Sequence, residues 1–272
     1  MAELPAYPAA FDFGRLFADA GRVFARAWLP ILIGVVLLGI VPNVISALPW
    51  WRGSPGTSLD AFHRVWLVVN LLKALLVLVA HSATAAYLTA IALSVLTGAD
   101  WREMFQAPRM TAGFVTSLCV NLLANWASFA DTILTAFSPD YRILLTLGIV
   151  GRVSVVVLAA YIGIAVSAAI AEQRFVGSAI MRSARLLQGL RWPIVAVSLG
   201  YLLLATLLEY GLAMVLALGR ISYLPLSPGR AVIAAAPVLV SSATTIIVVS
   251  FFLQARRIAD GPTAGELHDV FA

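Results

Sequence analysis

Long uninterrupted apolar runs, separated by short connections that hold most of the charge, set the pattern of this chain. Six runs reach the roughly 20 residues that an α-helix needs to cross a bilayer at about 1.5 Å per residue. They cover residues 28–48, 65–97, 112–137, 143–171, 193–218 and 231–254. The second is long for one crossing yet too short for two crossings and a turn, so a single helix projecting beyond the bilayer is predicted there. The expected fold class is all-α, a polytopic membrane protein with six transmembrane helices. Between the spans the period changes from uniformly apolar to amphipathic. In 13–27, Phe13, Leu16, Phe17, Ala20, Phe24 and Ala27 recur at spacings of three and four, with Arg15, Asp19, Arg22 and Arg26 elsewhere on the wheel and Asp12 available as N-cap. Residues 174–190 repeat the idea with Val176, Ile180, Ala184 and Leu187 against Arg174, Arg182 and Arg185, and a shorter version surrounds Trp101, Met104 and Phe105. Helices of this kind lie in the headgroup plane.

The first and third amphipathic segments end alike. Arg22 stands eight residues before Pro30-Ile31 and Arg185 eight before Pro193-Ile194, with Trp28 and Trp192 beside the prolines. Proline is tolerated in the first turn of a helix and tryptophan favours the interface, so both places suit a helix bending from the surface into the bilayer. Three pseudo-repeated units are therefore expected, each an interfacial helix followed by a two-span hairpin. The matching domain plan is a cytoplasmic N-tail with an interfacial helix (1–27), a six-span transmembrane domain (28–254) and a cytoplasmic C-tail (255–272).

Composition excludes a soluble domain: 61% of the 272 residues are hydrophobic and 11% charged, where soluble domains carry about 25% charged residues. Mean hydropathy is +0.96. The net charge of +5 does not point to nucleic acid, because the basic residues lie between spans rather than on one polar surface. They report topology instead. Arg15, Arg22, Arg26, Arg102, Arg109, Arg174, Arg182, Arg185, Arg191, Arg256 and Arg257 fall on one side, and Arg52, Arg64, Arg142, Arg220 and Arg230 on the other. By the positive-inside rule both termini are expected in the cytoplasm. The first apolar run follows a polar amphipathic stretch and is expected to be a retained span rather than a secretory leader.

Four charges interrupt the spans: Lys73, Asp131, Arg152 and Glu209. Each costs about 2.5 to 3.5 kcal/mol at the centre of a membrane helix unless paired or hydrated. Counted from the outer ends of their spans, all four lie roughly 9 to 14 Å deep. Two cations and two anions in one layer predict that Lys73 and Arg152 each lie near Asp131 or Glu209. Other polar groups share these faces. Asn70, Lys73, His81 and Thr84 form a stripe on span two, and Ser117, Asn121, Asn125, Ser128 and Thr132 a seam on span three. Ala159, Gly163, Ser167 and Ala171 make a small-residue stripe suited to close helix approach, and Ser241, Ser242, Thr244 and Thr245 add hydroxyls to span six. Two roles are open to this layer. It can be a set of buried ion pairs that fixes helix register, the more economical choice for a self-neutralising set. Or it can line a hydrated cavity, open to the outside, that binds an ion, a proton or a lipid headgroup, with His81 handling protons.

Catalytic and metal signatures do not emerge. Cys119 is the one cysteine, and His63, His81 and His268 lack metal-ligand spacing. There is no HExxH, no paired intramembrane aspartate, no Gly-x-Ser-x-Gly and no phosphate loop. His81 and Ser82 are adjacent and so point in different directions on a helix. No enzyme activity, catalytic residue, cofactor or metal is expected.

Two stretches carry a resemblance. In residues 170–192, IAEQRFVGSAIMRSARLLQGLRW, a span ends in Glu172, then come Gly177, an alanine-bearing turn, Arg182-Ser183, and finally Gly189 with Arg191-Trp192. Residues 253–257, LQARR, are followed by Asp260-Gly261, Glu266-Leu267 and Phe271. Both resemble the bacterial membrane-domain family associated with glycerophosphoryl diester phosphodiesterases. The proline-glycine pair common at that family's fourth span is replaced by Gly148 and Gly151. The resemblance implies a six-span domain of the bacterial inner membrane, without the soluble catalytic barrel, for which the chain has no room. Under it, Glu172, Arg174, Arg182, Ser183, Arg185 and Arg191 are expected to form a cytoplasmic surface for anionic lipid or a partner protein. The function expected is thus a non-enzymatic accessory or lipid-interacting factor of the bacterial envelope, its partners membrane lipids and another membrane protein. The alternative is a small-solute, ion or lipid transporter or channel using the polar layer of Lys73, His81, Asn121, Asn125, Asp131, Arg152 and Glu209.

Overall fold

A computed structural model describes residues 11–47, 59–137, 141–218 and 228–261, and every regular element among them is helical. Helix α1 (Phe13–Gly34) continues through a π-helical segment (Val35–Ile40) into α2 (Val41–Ala47). Then come α3 (Leu59–Thr97), the single turn α4 (Trp101–Met104), α5 (Ala107–Ala124), α6 (Trp126–Phe137), α7 (Tyr141–Ile162), α8 (Ala165–Glu172), α9 (Val176–Leu186), α10 (Arg191–Leu218) and α11 (Pro228–Asp260). Among the described residues five helical stretches are long and apolar enough to cross a membrane: Phe13–Ser46, Arg64–Thr97, Thr146–Glu172, Arg191–Leu212 and Ala235–Asp260. The described residues form only helices, and these stretches are compatible with a multi-pass membrane protein.

The sixth expected crossing, 112–137, is not in that set, and it is not one helix. It breaks at Asn125, whose backbone leaves the helical region (φ −100°, ψ 11°). The Asn125 amide group donates to the Asn121 carbonyl (2.8 Å), which also accepts from the Asn125 backbone N–H (2.9 Å). This local side-chain bond is how asparagine competes with helix continuation. A second interruption, between α7 and α8 at Gly163-Ile164, divides the fourth predicted span. By contrast the long second run is one helix of 39 residues, as its length predicted.

The bend from amphipathic segment into span occurs where sequence placed it. Asp12 caps α1 by accepting from the Arg15 N–H (3.2 Å), and the helix kinks at Ala27 (φ −128°, ψ 25°), three residues before Pro30. The proline lacks an N–H and its ring presses on the preceding turn, which forces the kink. At the corresponding place before α10, a turn containing Gly189 at φ +93° separates the helices and Pro193 sits in the first turn of α10.

The wheel expected for α1 needs correction. Phe13, Phe17 and Phe24 are exposed, while Leu16, Asp19, Ala20, Val23 and Ala27 are buried. Small residues let α1 lie close against α11, and the bulky rings are left to face outward. Two bonds staple the pair: the Asp12 N–H donates to Gln254 Oε1 (3.2 Å) and Gln254 Nε2 donates to the Asp12 carbonyl (3.1 Å). Asp19, expected on the solvent side, instead accepts from the buried Ser250 hydroxyl (3.2 Å) and pairs with Arg22 at 3.5 Å.

The apolar core sits toward the end of the bundle where α1, α8, α9 and the last turns of α3 and α11 meet; Leu16, Leu93, Ile170, Leu186, Phe251 and Phe252 are fully buried there. Gly113 on α5 makes this packing tight, since a Cβ at that position would run into the Ile170 side chain. Gly34 likewise leaves room for the Tyr87 ring, whose hydroxyl donates to the Pro30 carbonyl (3.2 Å).

Candidate functional site

Away from that core the helices enclose a half-open cavity of about 640 Å³. Its walls come from α3, α5, α6, α7, α8, α10 and α11 and from the two breaks at Asn125 and Gly163. Helical spacing builds each wall. His81, Ala85 and Thr89 recur every four residues on α3, Ser117, Asn121 and Asn125 do so on α5, and Ser241, Thr244, Thr245 and Val248 lie along α11. Of the small-residue stripe Ala159, Gly163, Ser167 and Ala171, Gly163 and Ser167 border the space, and Gly113 on α5 is a point of close approach to α8.

Four members of the expected polar layer converge on this cavity: His81, Asn121, Asn125 and Arg152. Asn121 Nδ2 donates to the Ser82 hydroxyl (3.1 Å) and the Ser117 hydroxyl (3.2 Å), tying α5 to α3. His81 Nε2 lies 3.3 Å from Asn43 Nδ2, which also donates to the Gly39 carbonyl inside the π-helical segment. With the Asn43 amide as donor, the imidazole accepts at Nε2 and keeps its proton at Nδ1. Ser82 donates to the Leu78 carbonyl (2.8 Å) while accepting from Asn121, so it forms no dyad with His81.

The cavity is rich in donors. Arg152 is its charged side chain among the described residues, and it makes no ion pair among them. Ser167 is 1% exposed and its hydroxyl has no partner. Thr116, on the neighbouring face of α5, is in the same condition. Buried hydroxyls are normally bonded; of these two, Ser167 borders the cavity and Thr116 does not.

Lys73 is half-buried on α3, is not one of the cavity-lining residues, and is engaged in an interaction of its own. The side chains of Asp131 and Glu209 lie outside the described residues, and with them the expected pairing of Lys73 and Arg152. Of the helices that carry these residues, α6 packs on α3 and α7, and α7 packs on α10.

A second concave surface, about 200 Å³, is lined by Arg174, Ser178, Met181, Arg182 and Arg185. It faces outward from α9 because Ser178, Met181, Arg182 and Arg185 share one stripe, while Ala179, Ser183, Leu186 and Leu187 form the buried one. Ser183 is therefore not part of the surface on which sequence placed it; it is fully buried with an unpartnered hydroxyl. Arg191 is also elsewhere, its guanidinium stacked 4.7 Å from the Tyr161 ring centre. Glu172 accepts from Arg174 Nε (2.6 Å) and from Arg182 Nε (3.1 Å), and Arg182 Nη2 donates to Asp260. The bond to Asp260 raises the Arg182 pKa further above its usual value, burial opposes this, and Glu172 adds to the rise.

Some residues of consequence had been counted only for topology. Arg109 Nη1 donates to the Ile170 and Ala171 carbonyls at the end of α8 (both 3.2 Å). With its amide oxygen turned inward, Gln173 accepts from Arg109 Nε at 2.9 Å as well. Gln173 itself takes the left-handed conformation (φ 52°) that terminates α8. An arginine just after Pro108 gives no sign of a partner 61 residues away. Asn43 and Tyr201 carried no signal either.

Among the described residues no group of three or more His, Cys, Asp or Glu side chains could hold a metal ion. Compared with protein-family models, with curated proteins and with solved structures, the chain has no significant match.

Proposed function

We propose that this chain is a non-enzymatic accessory protein of the bacterial inner membrane that interacts with lipid, taking the polar end of an amphiphile into its intramembrane cavity. The cavity carries the proposal. About 640 Å³ of space lined by Arg152, Asn121, Asn125, Tyr201 and Ser167 is of the size that holds a small guest. Arg152, a charged donor with no ion pair among the described residues, favours a guest that brings phosphate, carbonyl or hydroxyl oxygens. Six spans, three related units, cytoplasmic termini and membership of the phosphodiesterase-associated membrane family belong to the same proposal. The arginine asymmetry and the likeness in 170–192 and 253–271 support them.

The test is crosslinking in nanodiscs with a phosphatidylethanolamine that carries a diazirine near its headgroup. Label is expected on α5, α7 and α10, and Ala124→Trp, which fills the cavity, is expected to remove it. Equal labelling of the wild type and the filled variant would overturn the proposal.

A transporter or channel for a small solute, ion or lipid is the second reading, and one observation favours it. Both helix breaks, at Asn125 and Gly163, border the cavity, and interrupted membrane helices are where transporters present backbone groups to substrate. Solute flux in proteoliposomes that Arg152→Gln abolishes would support it over simple lipid binding.

A further inference from the structure

We infer a second, separate binding site: the arginine-lined surface of α9 holds the phosphate of an anionic phospholipid in the leaflet that this end of the bundle faces. Three guanidinium groups, from Arg174, Arg182 and Arg185, line one concave surface of about 200 Å³ with the Ser178 side chain at its edge. Their charges are not equally committed. Arg182 is held by Glu172 and Asp260, and Arg174 shares Glu172. Arg185 is exposed and makes no ion pair among the described residues. Arg174, Arg182, Arg185 and Arg256 therefore face two carboxylates, Glu172 and Asp260, and the cluster keeps an excess of positive charge. Guanidinium forks match phosphate oxygens in pairs, which suits this excess to a phosphate more than to a diffuse anion.

The apolar surroundings select a lipid over a free phosphate. Phe175 is 80% exposed, Met181 60% and Trp192 82%. Met181 lines the concave surface itself, and Phe175 and Trp192 flank α9 in sequence. Large apolar side chains left this open around an arginine pocket are placed to enter the headgroup and upper acyl region. The opposite stripe of α9 is buried in the core, so the helix is fixed in the orientation that turns the pocket outward. The Arg182 network with Glu172 and Asp260 then positions the pocket, while Arg174 and Arg185 supply the contacts that a headgroup would gain.

The full chain, purified in detergent, is titrated with phosphatidylglycerol labelled in its acyl chain, with phosphatidylcholine as the uncharged comparison. Arg174→Gln together with Arg185→Gln is expected to weaken phosphatidylglycerol binding roughly 30-fold, about five- to six-fold per arginine. Arg152→Gln in the intramembrane cavity is expected to leave this component unchanged, which separates the two sites. Ser178→Glu sets a carboxylate in the pocket from an exposed position and is expected to give a comparable loss even where the double variant folds poorly. Unchanged binding in Ser178→Glu or in a folded double variant would overturn the proposal. Equal affinity for phosphatidylcholine, or displacement of the labelled lipid by millimolar inorganic phosphate, would overturn it too.

Discussion

At the arginine-rich end of the bundle single side chains hold two or three elements at once, whereas around the cavity helices stop short and Thr244 and Thr245 donate within their own helix. Gln254 bonds both backbone groups of Asp12, Arg109 gathers the last carbonyls of α8, and Arg182 joins the ends of α8 and α11. Across the cavity, Ser167 has no partner and α5 and α7 both end at its edge, at Asn125 and Gly163. Lipid tails are as apolar as leucine, so helices in a bilayer are held by close packing and hydrogen bonds rather than by exclusion of water. The contrast teaches where stability is concentrated: the tied end can act as a frame, and the open region can accept a guest without loss of the fold.

The largest effect should come from the frame. Gly113→Val puts methyl groups into the space of the Ile170 side chain, and overpacking of this kind costs roughly 3 kcal/mol; thermal unfolding in detergent should show a clear fall in Tm. Arg109→Ala removes a charged donor from the Ile170 and Ala171 carbonyls, with an expected loss of about 2 kcal/mol. Arg109→Lys should recover only part of it, because an ammonium lacks the planar fork. Gln254→Ala releases the N-terminal helix from its staple, an expected loss of about 1 kcal/mol. Its more telling measure is faster proteolysis within 13–27 while α11 remains protected.

Cavity substitutions should barely register. Arg152→Gln is expected to change stability by less than about 1 kcal/mol, because its side chain makes no ion pair among the described residues. Ser167→Ala removes a hydroxyl that has no partner, and its expected effect is within about 0.5 kcal/mol of zero. A large loss of Tm in either variant would break the contrast, since it would mean that the cavity walls also carry structural load.

Much of this architecture can be read in the residues, and the places where it cannot are instructive. The bend at Ala27 follows from Pro30 and Trp28, and Asp12 caps α1 as its residue type suggests. The outward stripe of Arg182 and Arg185 follows from helical spacing, but the same spacing did not separate Ser183 from them. Both Asp19 and Ser183 carry polar side chains in amphipathic segments, and periodicity assigns such residues to the wet face. A packed partner reversed that assignment, with Ser250 for Asp19 and the core itself for Ser183.

By itself the sequence determined that this is a helical membrane protein, where its long apolar helices run, and that His81, Asn121, Asn125 and Arg152 are polar groups a bilayer would not leave facing lipid. Those properties are local or additive: they depend on hydropathy and a period of 3.6 residues. Only the tertiary structure decided that these four residues share one cavity, that the third apolar run breaks at Asn125, and that Arg109 closes the end of α8. Whether a polar group is paired, orphaned or exposed depends on what another helix, far along the chain, brings within about 3 Å of it. No spacing within one segment contains that distance.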